Sequence, residues 1–91
     1  MSNSTYFKYT AEHIGRARAT KFVRELEAED IDVMYAGMSP VFDNEFIMVV
    51  ATTTEEEAKK IKERVWALNN GAYCDMRKIT ADELEECYEN A

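Results

Sequence analysis

Carboxylates are the side chains of this chain best suited to chemistry, and they occur in two clusters. One cluster is the acidic run at 55–57, and the other lies near the end of the chain and consists of Asp82, Glu83, Glu85, Glu86 and Glu89. Clustered carboxylates can bind hard cations, but neither cluster has the Asp-x-Asp-x-Asp-Gly spacing that directs several oxygens at one ion. We therefore expect no metal site and no cofactor.

The other reactive side chains are isolated from one another in sequence. His13 is the only histidine, and no acid–histidine or cysteine–histidine motif accompanies it. Cys74 and Cys87 lack the spacing of a metal-ligand pair, and a chain of this kind is expected to keep both thiols reduced. We therefore predict no catalytic residues and no enzyme activity.

The charges are sorted along the chain rather than mixed. Residues 1–24 carry five bases and one acid, a net charge of +4, whereas residues 25–91 carry six bases and seventeen acids, a net charge of −11. The whole chain has a net charge of −7. Sorted charge bears on association rather than on fold, and it predicts a positively charged partner.

Length and composition predict a single domain over residues 1–91. A chain of 91 residues with a hydrophobic fraction of 46% can build one core. No stretch approaches the ~18 apolar residues of a membrane span, and the first residues lack the apolar region of a signal peptide. We therefore expect a cytoplasmic protein that does not contact membranes.

Hydrophobic periodicity predicts four strands and three helices. Alternating or continuous apolar residues indicate strands at 5–9, 30–36, 46–51 and 72–79. Helical spacing together with N-cap residues indicates helices that begin after Thr10, Thr54 and Thr80. The last two caps have a glutamate three residues later, and Asn-Asn-Gly at 69–71 is typical of a helix end.

This order predicts an α+β protein with a ferredoxin-like βαββαβ sandwich over 5–79, in which two helices pack on one face of a four-stranded antiparallel sheet. A short acidic helix at 80–90 is appended to this core. The third strand is apolar on both faces, so its second face needs a cover. Either the terminal helix covers it through Leu84, Cys87 and Tyr88, or a second copy or another protein does so.

Two aromatic residues are candidate anchors for a partner. The connection at 37–44 carries Val41 and Phe42 where a polar loop is expected, and these residues either cover one end of the core or contact a partner. Trp66 lies beside the apolar stripe of the second helix and either shields the sheet edge or contacts a partner.

Direct nucleic-acid binding is not expected. An RNA recognition motif, which has the same order of elements, needs basic and aromatic residues on its third strand. In this chain the corresponding strand begins Asp43-Asn44-Glu45-Phe46, with acids in place of the bases.

These features favour a small, acidic, non-enzymatic module that docks on a basic, nucleic-acid-binding surface of a larger protein and inhibits or regulates it. Carboxylates can act as a nucleic-acid mimic, and phage-encoded, anti-CRISPR-like antagonists of a host nuclease or defence complex, active in the host cytoplasm, form one class of this size and charge. The alternative is a dimeric, ACT-like small-molecule sensor, for which a homodimer is expected. The expected partner-binding residues are Phe42, Trp66, Asp82, Glu83, Glu85, Glu86, Tyr88 and Glu89.

Overall fold

The computed structural model describes residues 5–39, 41–42, 44–52 and 54–89. The elements in this part of the chain are β1 (Thr5–Ala11), α1 (Arg16–Ala28), β2 (Asp32–Met38), β3 (Phe46–Thr52), α2 (Glu55–Leu68), β4 (Cys74–Ile79) and α3 (Ala81–Glu89). The strands form one antiparallel sheet in the order β2-β3-β1-β4. The predicted α+β class, with a four-stranded antiparallel sheet and three helices, is confirmed.

The junction between β1 and α1 differs from the prediction. Thr10 lies inside β1 and is not the N-cap of α1, which begins only at Arg16 with Gly15 as its N-cap. The strand continues as far as Ala11 because this side chain is buried on the same face of the sheet as Tyr9. His13 then turns the chain with a φ of 62°. β2 and β4 also begin about two residues later than the sequence predicts.

The two ends of α2 follow the prediction. Thr54 Oγ1 accepts a hydrogen bond from the amide of Glu57 at 3.2 Å, and Asn70 and Gly71 end the helix with φ values of 57° and 79°. The buried Asn69 donates from Nδ2 to the carbonyl oxygens of Glu12, at 3.1 Å, and Tyr73, at 2.9 Å. The end of α2 is therefore tied to the segment after β1 and to the segment before β4.

The main core lies between the sheet and the two longer helices. The helices contribute Ala19, Phe22, Leu26, Ala58, Ile61 and Val65, and the two central strands contribute Phe7, Tyr9, Phe46, Met48 and Val50. The Tyr9 hydroxyl, which is fully buried, donates to the carbonyl oxygen of Ala58 at 2.8 Å and so has the partner that a buried phenol needs. This pairing fixes the start of α2 over the middle of β1.

The opposite face of the sheet is partly covered by α3. Leu84 packs against Val49 and Ile79, and all three side chains are buried. The terminal helix, one of the three covers considered above, therefore accounts for this part of the face. None of the helices in the described segments has the length and apolar character that a membrane crossing requires. Proline tends to end a strand, but Pro40 lies outside the described residues, as does residue 90, the predicted end of the acidic helix.

Candidate functional site

The acidic helix α3 crosses the second face of the sheet from β4 toward the edge strand β2. Its first turn follows β4 directly, and Leu84 reaches Val49 in β3. In its last turn, the Tyr88 hydroxyl donates to the carbonyl oxygen of Met34 in β2. The Tyr88 ring meets that of Tyr35 edge-on, with 5.7 Å between centroids. The helix is therefore held at both ends, which sets the side of the molecule on which its acidic residues lie.

The N-terminus of α3 is capped at Thr80 as predicted, but Glu83 has a different partner. Thr80 Oγ1 accepts a hydrogen bond from the amide of Glu83 at 3.2 Å. A complete capping box would turn the Glu83 carboxylate back toward Thr80. Instead, this carboxylate accepts a hydrogen bond from Arg77 in β4 at 3.1 Å. Glu83 is thus partly neutralised within the molecule.

The other four carboxylates of α3 are exposed and have no ion-pair partner among the described residues. These are Asp82, Glu85, Glu86 and Glu89. The two ion pairs found in the described segments are Arg64–Glu29 and Arg77–Glu83. The bases of α1 do not reach α3, because α1 packs on the other face of the sheet. The acidic surface of α3 therefore faces solvent.

A groove of about 500 Å³ lies beside α3 on the same face of the sheet. Lys8 and Arg77, which are opposite each other on β1 and β4, contribute basic groups to its wall. Like charges opposite each other on neighbouring strands repel, and the Glu83 carboxylate reduces this repulsion. Glu45 and Glu86 add two more acids, and the apolar part of the wall comes from Val41, Phe42, Ile47 and Cys87.

The exposed apolar residues of this surface lie in the connection between β2 and β3. Val41 is 76% exposed and Phe42 is 63% exposed, so neither covers the core. Their backbone amides both donate to Ser39 Oγ, at 3.2 Å, which holds this part of the connection in a turn. Of the two interpretations of Phe42, the structure contradicts the one in which it tucks over the core. Phe42 shares the groove with Glu83 and Glu86.

Trp66 is not part of this surface. It lies on α2, which packs on the opposite face of the sheet from α3, and 54% of its surface is exposed. Its indole lies beside Gly71, where an added Cβ would be 3.5 Å from Trp66 Nε1. The structure therefore brings Phe42, Tyr88 and the α3 carboxylates to one side of the molecule and leaves Trp66 on the other.

The Tyr35 phenol and the Cys74 thiol have raised pKa values and keep their protons at neutral pH. Burial, with a smaller contribution from Cys87, raises the pKa of Tyr35, which lines the groove. Burial also raises the pKa of Cys74, despite the opposing charge of Lys62. Cys74 packs in the main core and Cys87 packs beneath α3, so the two free thiols lie on opposite faces of the sheet. At neutral pH, Tyr35 therefore presents a neutral hydroxyl to the groove.

The sequence did not single out Lys8, Glu45 and Arg77 as site residues. The alternation of residues along β1 and β4 could have predicted that Lys8 and Arg77 share a face of the sheet, because both occupy positions that face away from the main core. Glu45 could not be placed in this way, because it precedes β3 in an irregular connection. Neither a protein-family model, nor a curated protein, nor a solved structure matches this chain.

Proposed function

We propose that this protein is a non-enzymatic binding module that uses α3 and the neighbouring groove to dock on a basic surface of a larger protein, which it inhibits or regulates. The observation that carries the proposal is a set of four exposed carboxylates, without ion-pair partners in the described part of the chain, on a helix held at both ends. Carboxylates on a helix that is already held in place can replace nucleic-acid phosphates at a basic site without an added cost for ordering the backbone.

The distribution of charge within α3 supports this role. Acids at the start of a helix interact favourably with its dipole, but acids in the last turn interact unfavourably. Glu86 and Glu89 lie in the last turn of α3, which contains no base. Their position therefore does not help the helix to form, whereas it does extend the negative surface toward the β2 edge.

Exposed apolar side chains beside the acids supply the second component of a protein interface. Electrostatic attraction accelerates association, but a stable complex also needs side chains that lose water on contact. Phe42 lies in the groove beside α3 and is 63% exposed, and Tyr88 lies in the last turn of α3 and is 51% exposed. We assign them as anchors, with Asp82, Glu85, Glu86 and Glu89 attracting the partner.

The fold that we propose for this module is the ferredoxin-like βαββαβ sandwich with α3 appended. The element order, the strand order β2-β3-β1-β4 and the packing of α1 and α2 on one face support this assignment. A nucleic-acid-binding partner places the activity in the cytoplasm, and in the host cytoplasm if the protein comes from a phage.

Charge neutralisation of α3 tests the proposal. The test variant carries Asp82→Asn, Glu85→Gln, Glu86→Gln and Glu89→Gln. It should associate with its partner at least about tenfold more slowly, because electrostatic steering contributes at least this factor to association rates. Immobilised wild-type and variant proteins are exposed to nuclease-treated lysate at 0.1 M and 1 M salt, and the captured proteins are quantified by mass spectrometry. The Debye length falls from about 10 Å to about 3 Å between these salt concentrations.

A control variant separates the position of the charge from its amount. Neutralising Glu12, Glu25, Glu56 and Glu63, which are exposed and lie away from α3, changes the net charge equally. A specific partner is lost with the α3 variant and at high salt but retained with the control variant. Equal loss with both variants, or capture that does not depend on salt, excludes α3 as the docking element.

The alternative function is a dimeric, ACT-like small-molecule sensor. It is favoured by the open edge of β2 and by the groove of about 520 Å³ between this strand and α1, which could hold a ligand at a subunit boundary. Sedimentation equilibrium distinguishes the two proposals. The sensor requires a dimer that is stable at 1 M salt, whereas the docking module requires the free protein to be a monomer.

A further inference from the structure

β2 is an edge strand whose outer side has no neighbouring strand among the described residues. In an edge strand, alternate residues direct their N–H and C=O groups away from the sheet, where an incoming strand can pair with them. Natural sheets usually protect such edges with lysine, proline or a covering element. β4, at the other edge, carries the exposed bases Arg77 and Lys78. β2 has Asp32 as its only charged residue, and its segment from Tyr35 to Met38 is uncharged.

The pairing of β2 with β3 shows how an added strand would be arranged. The register shifts between Val33 and Tyr35, which leaves Met34 as a bulge, and is regular from Tyr35 to Met38. Ala36 and Met38 are opposite Met48 and Phe46, which belong to the main core and therefore face α1 and α2. Tyr35 is opposite Val49 and faces α3. The regular part of the edge thus has one side toward the helix layer and one side toward α3.

The side toward α1 has a basic and apolar groove. This groove of about 520 Å³ runs between α1 and the edge of β2. Its α1 wall presents the bases Arg16 and Arg24, with Glu27 at the far end, and the apolar side chains Ala19, Val23 and Met38 line the remainder. An acidic or apolar side chain fits this environment better than a basic one does.

The side toward α3 has the opposite charge. The last turn of α3 ends against β2, where Tyr88 contacts Met34 and Tyr35. Glu86 and Glu89 are exposed in this turn, and the C-terminal end of the helix dipole adds further negative potential. A basic side chain is favoured here. The edge of β2 therefore lies between a positive helix on one face and a negative helix on the other.

We propose that β2 accepts an extended segment of the partner protein as an additional strand. Successive side chains of a strand point to opposite faces, so the segment alternates acidic or apolar residues, which face α1, with basic residues, which face α3. Backbone hydrogen bonds to the stretch from Tyr35 to Met38 hold it in place. This inference rests on the proposed docking function, because it assigns the strand to the same partner.

A second copy of the chain fits the edge less well. Pairing of β2 with β2 of another copy would bring the C-terminal ends of two α3 helices toward each other across the two-fold axis. Each of these ends carries Glu86, Glu89 and the negative end of a helix dipole, and like charges at an interface oppose association. A segment with alternating charge meets both sides of the edge with complementary groups.

Synthetic peptides test this inference without knowledge of the partner. The probe is a fluorescent peptide, Lys-Val-Thr-Glu-Lys-Val-Thr-Glu-Lys, in which valine and glutamate alternate with lysine and threonine. The control peptide has the same composition, but its order places lysine and glutamate on one face. Two further peptides carry N-methyl groups on one or the other set of alternate amides. Fluorescence anisotropy at 0.1 M salt measures the dissociation constant of each peptide.

The dissociation constant of the alternating peptide is expected to be at least about tenfold lower than that of the control peptide. Only one of the two N-methylated peptides is expected to lose binding, because alternate amides face away from β2. Arg24→Glu, in the groove, should weaken binding about tenfold, whereas Lys21→Glu, on the same helix but outside the groove, should have little effect. Circular dichroism and urea unfolding confirm that both variants fold.

Several outcomes overturn the inference. Equal binding of the alternating and control peptides, or no binding at millimolar concentration, excludes β2 as a site for such a strand. If Arg24→Glu and Lys21→Glu weaken binding equally, the peptide responds to the net charge of the protein and does not occupy the groove beside β2. A free protein that sediments as a dimer and becomes a monomer with Ala36→Lys assigns the edge to a second copy. These results do not depend on the lysate experiment, so the proposal that α3 is a docking surface is tested separately.

Discussion

At the scale of single residues, the fold depends on a few buried polar groups that join its layers. The Tyr9 hydroxyl connects the centre of the sheet to the first turn of α2, and the Asn69 amide connects the end of α2 to two strand-flanking segments. A buried polar group without a partner destabilises a protein more than a satisfied one stabilises it. Each of these contacts therefore selects one position of α2 on the sheet.

Tyr9→Phe should lower the free energy of unfolding by about 1 kcal/mol at pH 7, because it removes one buried hydrogen bond. Burial, with a smaller contribution from Cys74, raises the pKa of Tyr9 well above its ordinary value of 10.0. The folded protein therefore keeps this proton while the unfolded chain loses it above pH 10. This contribution to stability is present below pH 10 and is lost as the pH rises further.

Urea unfolding of the wild-type and Tyr9→Phe proteins between pH 7 and pH 11 measures this effect. Above pH 10, the free energy of unfolding of the wild-type protein should fall toward that of Tyr9→Phe. The difference between the two proteins should change by up to about 1.4 kcal/mol per pH unit. Tyr73→Phe, at an exposed position, is the control and should leave the stability at pH 7 unchanged. Parallel curves for the wild-type and Tyr9→Phe proteins would mean that Tyr9 ionises equally in the folded and unfolded states.

At the scale of elements, α3 combines a structural role with the proposed binding role. Its apolar edge covers Val49, which would otherwise be an exposed core residue on the second face of β3. Its polar side carries the exposed carboxylates of Asp82, Glu85, Glu86 and Glu89. Any loss of the structural contact would therefore also disturb the proposed docking surface, and tests of the two roles need different substitutions.

Leu84→Ala should lower the free energy of unfolding by about 2 kcal/mol, because it removes a buried side chain and leaves a gap over Val49 and Ile79. Urea unfolding measures the loss, and binding of a hydrophobic dye reports exposure of the sheet face. Val41→Ala is the control, since Val41 is 76% exposed. Unchanged stability and dye binding in Leu84→Ala would show that α3 does not pack on the sheet in solution.

The sequence predicts elements best where local signals and burial agree. Thr54 and Thr80 both cap helices, and β3 is buried on both faces, because these features depend on residues close together in the chain. The predicted start of α1 was wrong. Thr10 has the side chain of a helix N-cap, but Ala11 packs in the core and so continues β1 beyond it. Tertiary packing overrides a local preference in this way.

The candidate site was only partly predictable because it depends on which face each element covers. The spacing of the α3 acids places them on a helix, but the contact of Tyr88 with Met34 brings that helix to the β2 edge. This contact joins residues 54 positions apart. Trp66 and Phe42 are both exposed aromatic residues, and only the arrangement of layers shows that they lie on different sides.

At the scale of the whole molecule, the sorting of charge in the sequence is partly retained in space. The bases of the first quarter of the chain include Arg16 and Arg24 on α1, and the last acids lie on α3 across the sheet. Fields of opposite sign on two sides of a small protein orient it as it approaches a partner. They also place charges where they do not stabilise the fold, which gives a direct test of their role.

Glu86→Gln and Glu89→Gln together should raise the free energy of unfolding by about 0.3–1 kcal/mol per substitution at low salt, because each removes a negative charge from the C-terminal turn of α3. Asp82→Asn, in the first turn, should lower it by a similar amount. Both changes should diminish at 1 M salt. The same double variant should capture less of the partner, so stability and binding change in opposite directions. A double variant that is less stable than the wild-type protein would identify these glutamates as structural, and the docking role of α3 would lose its support.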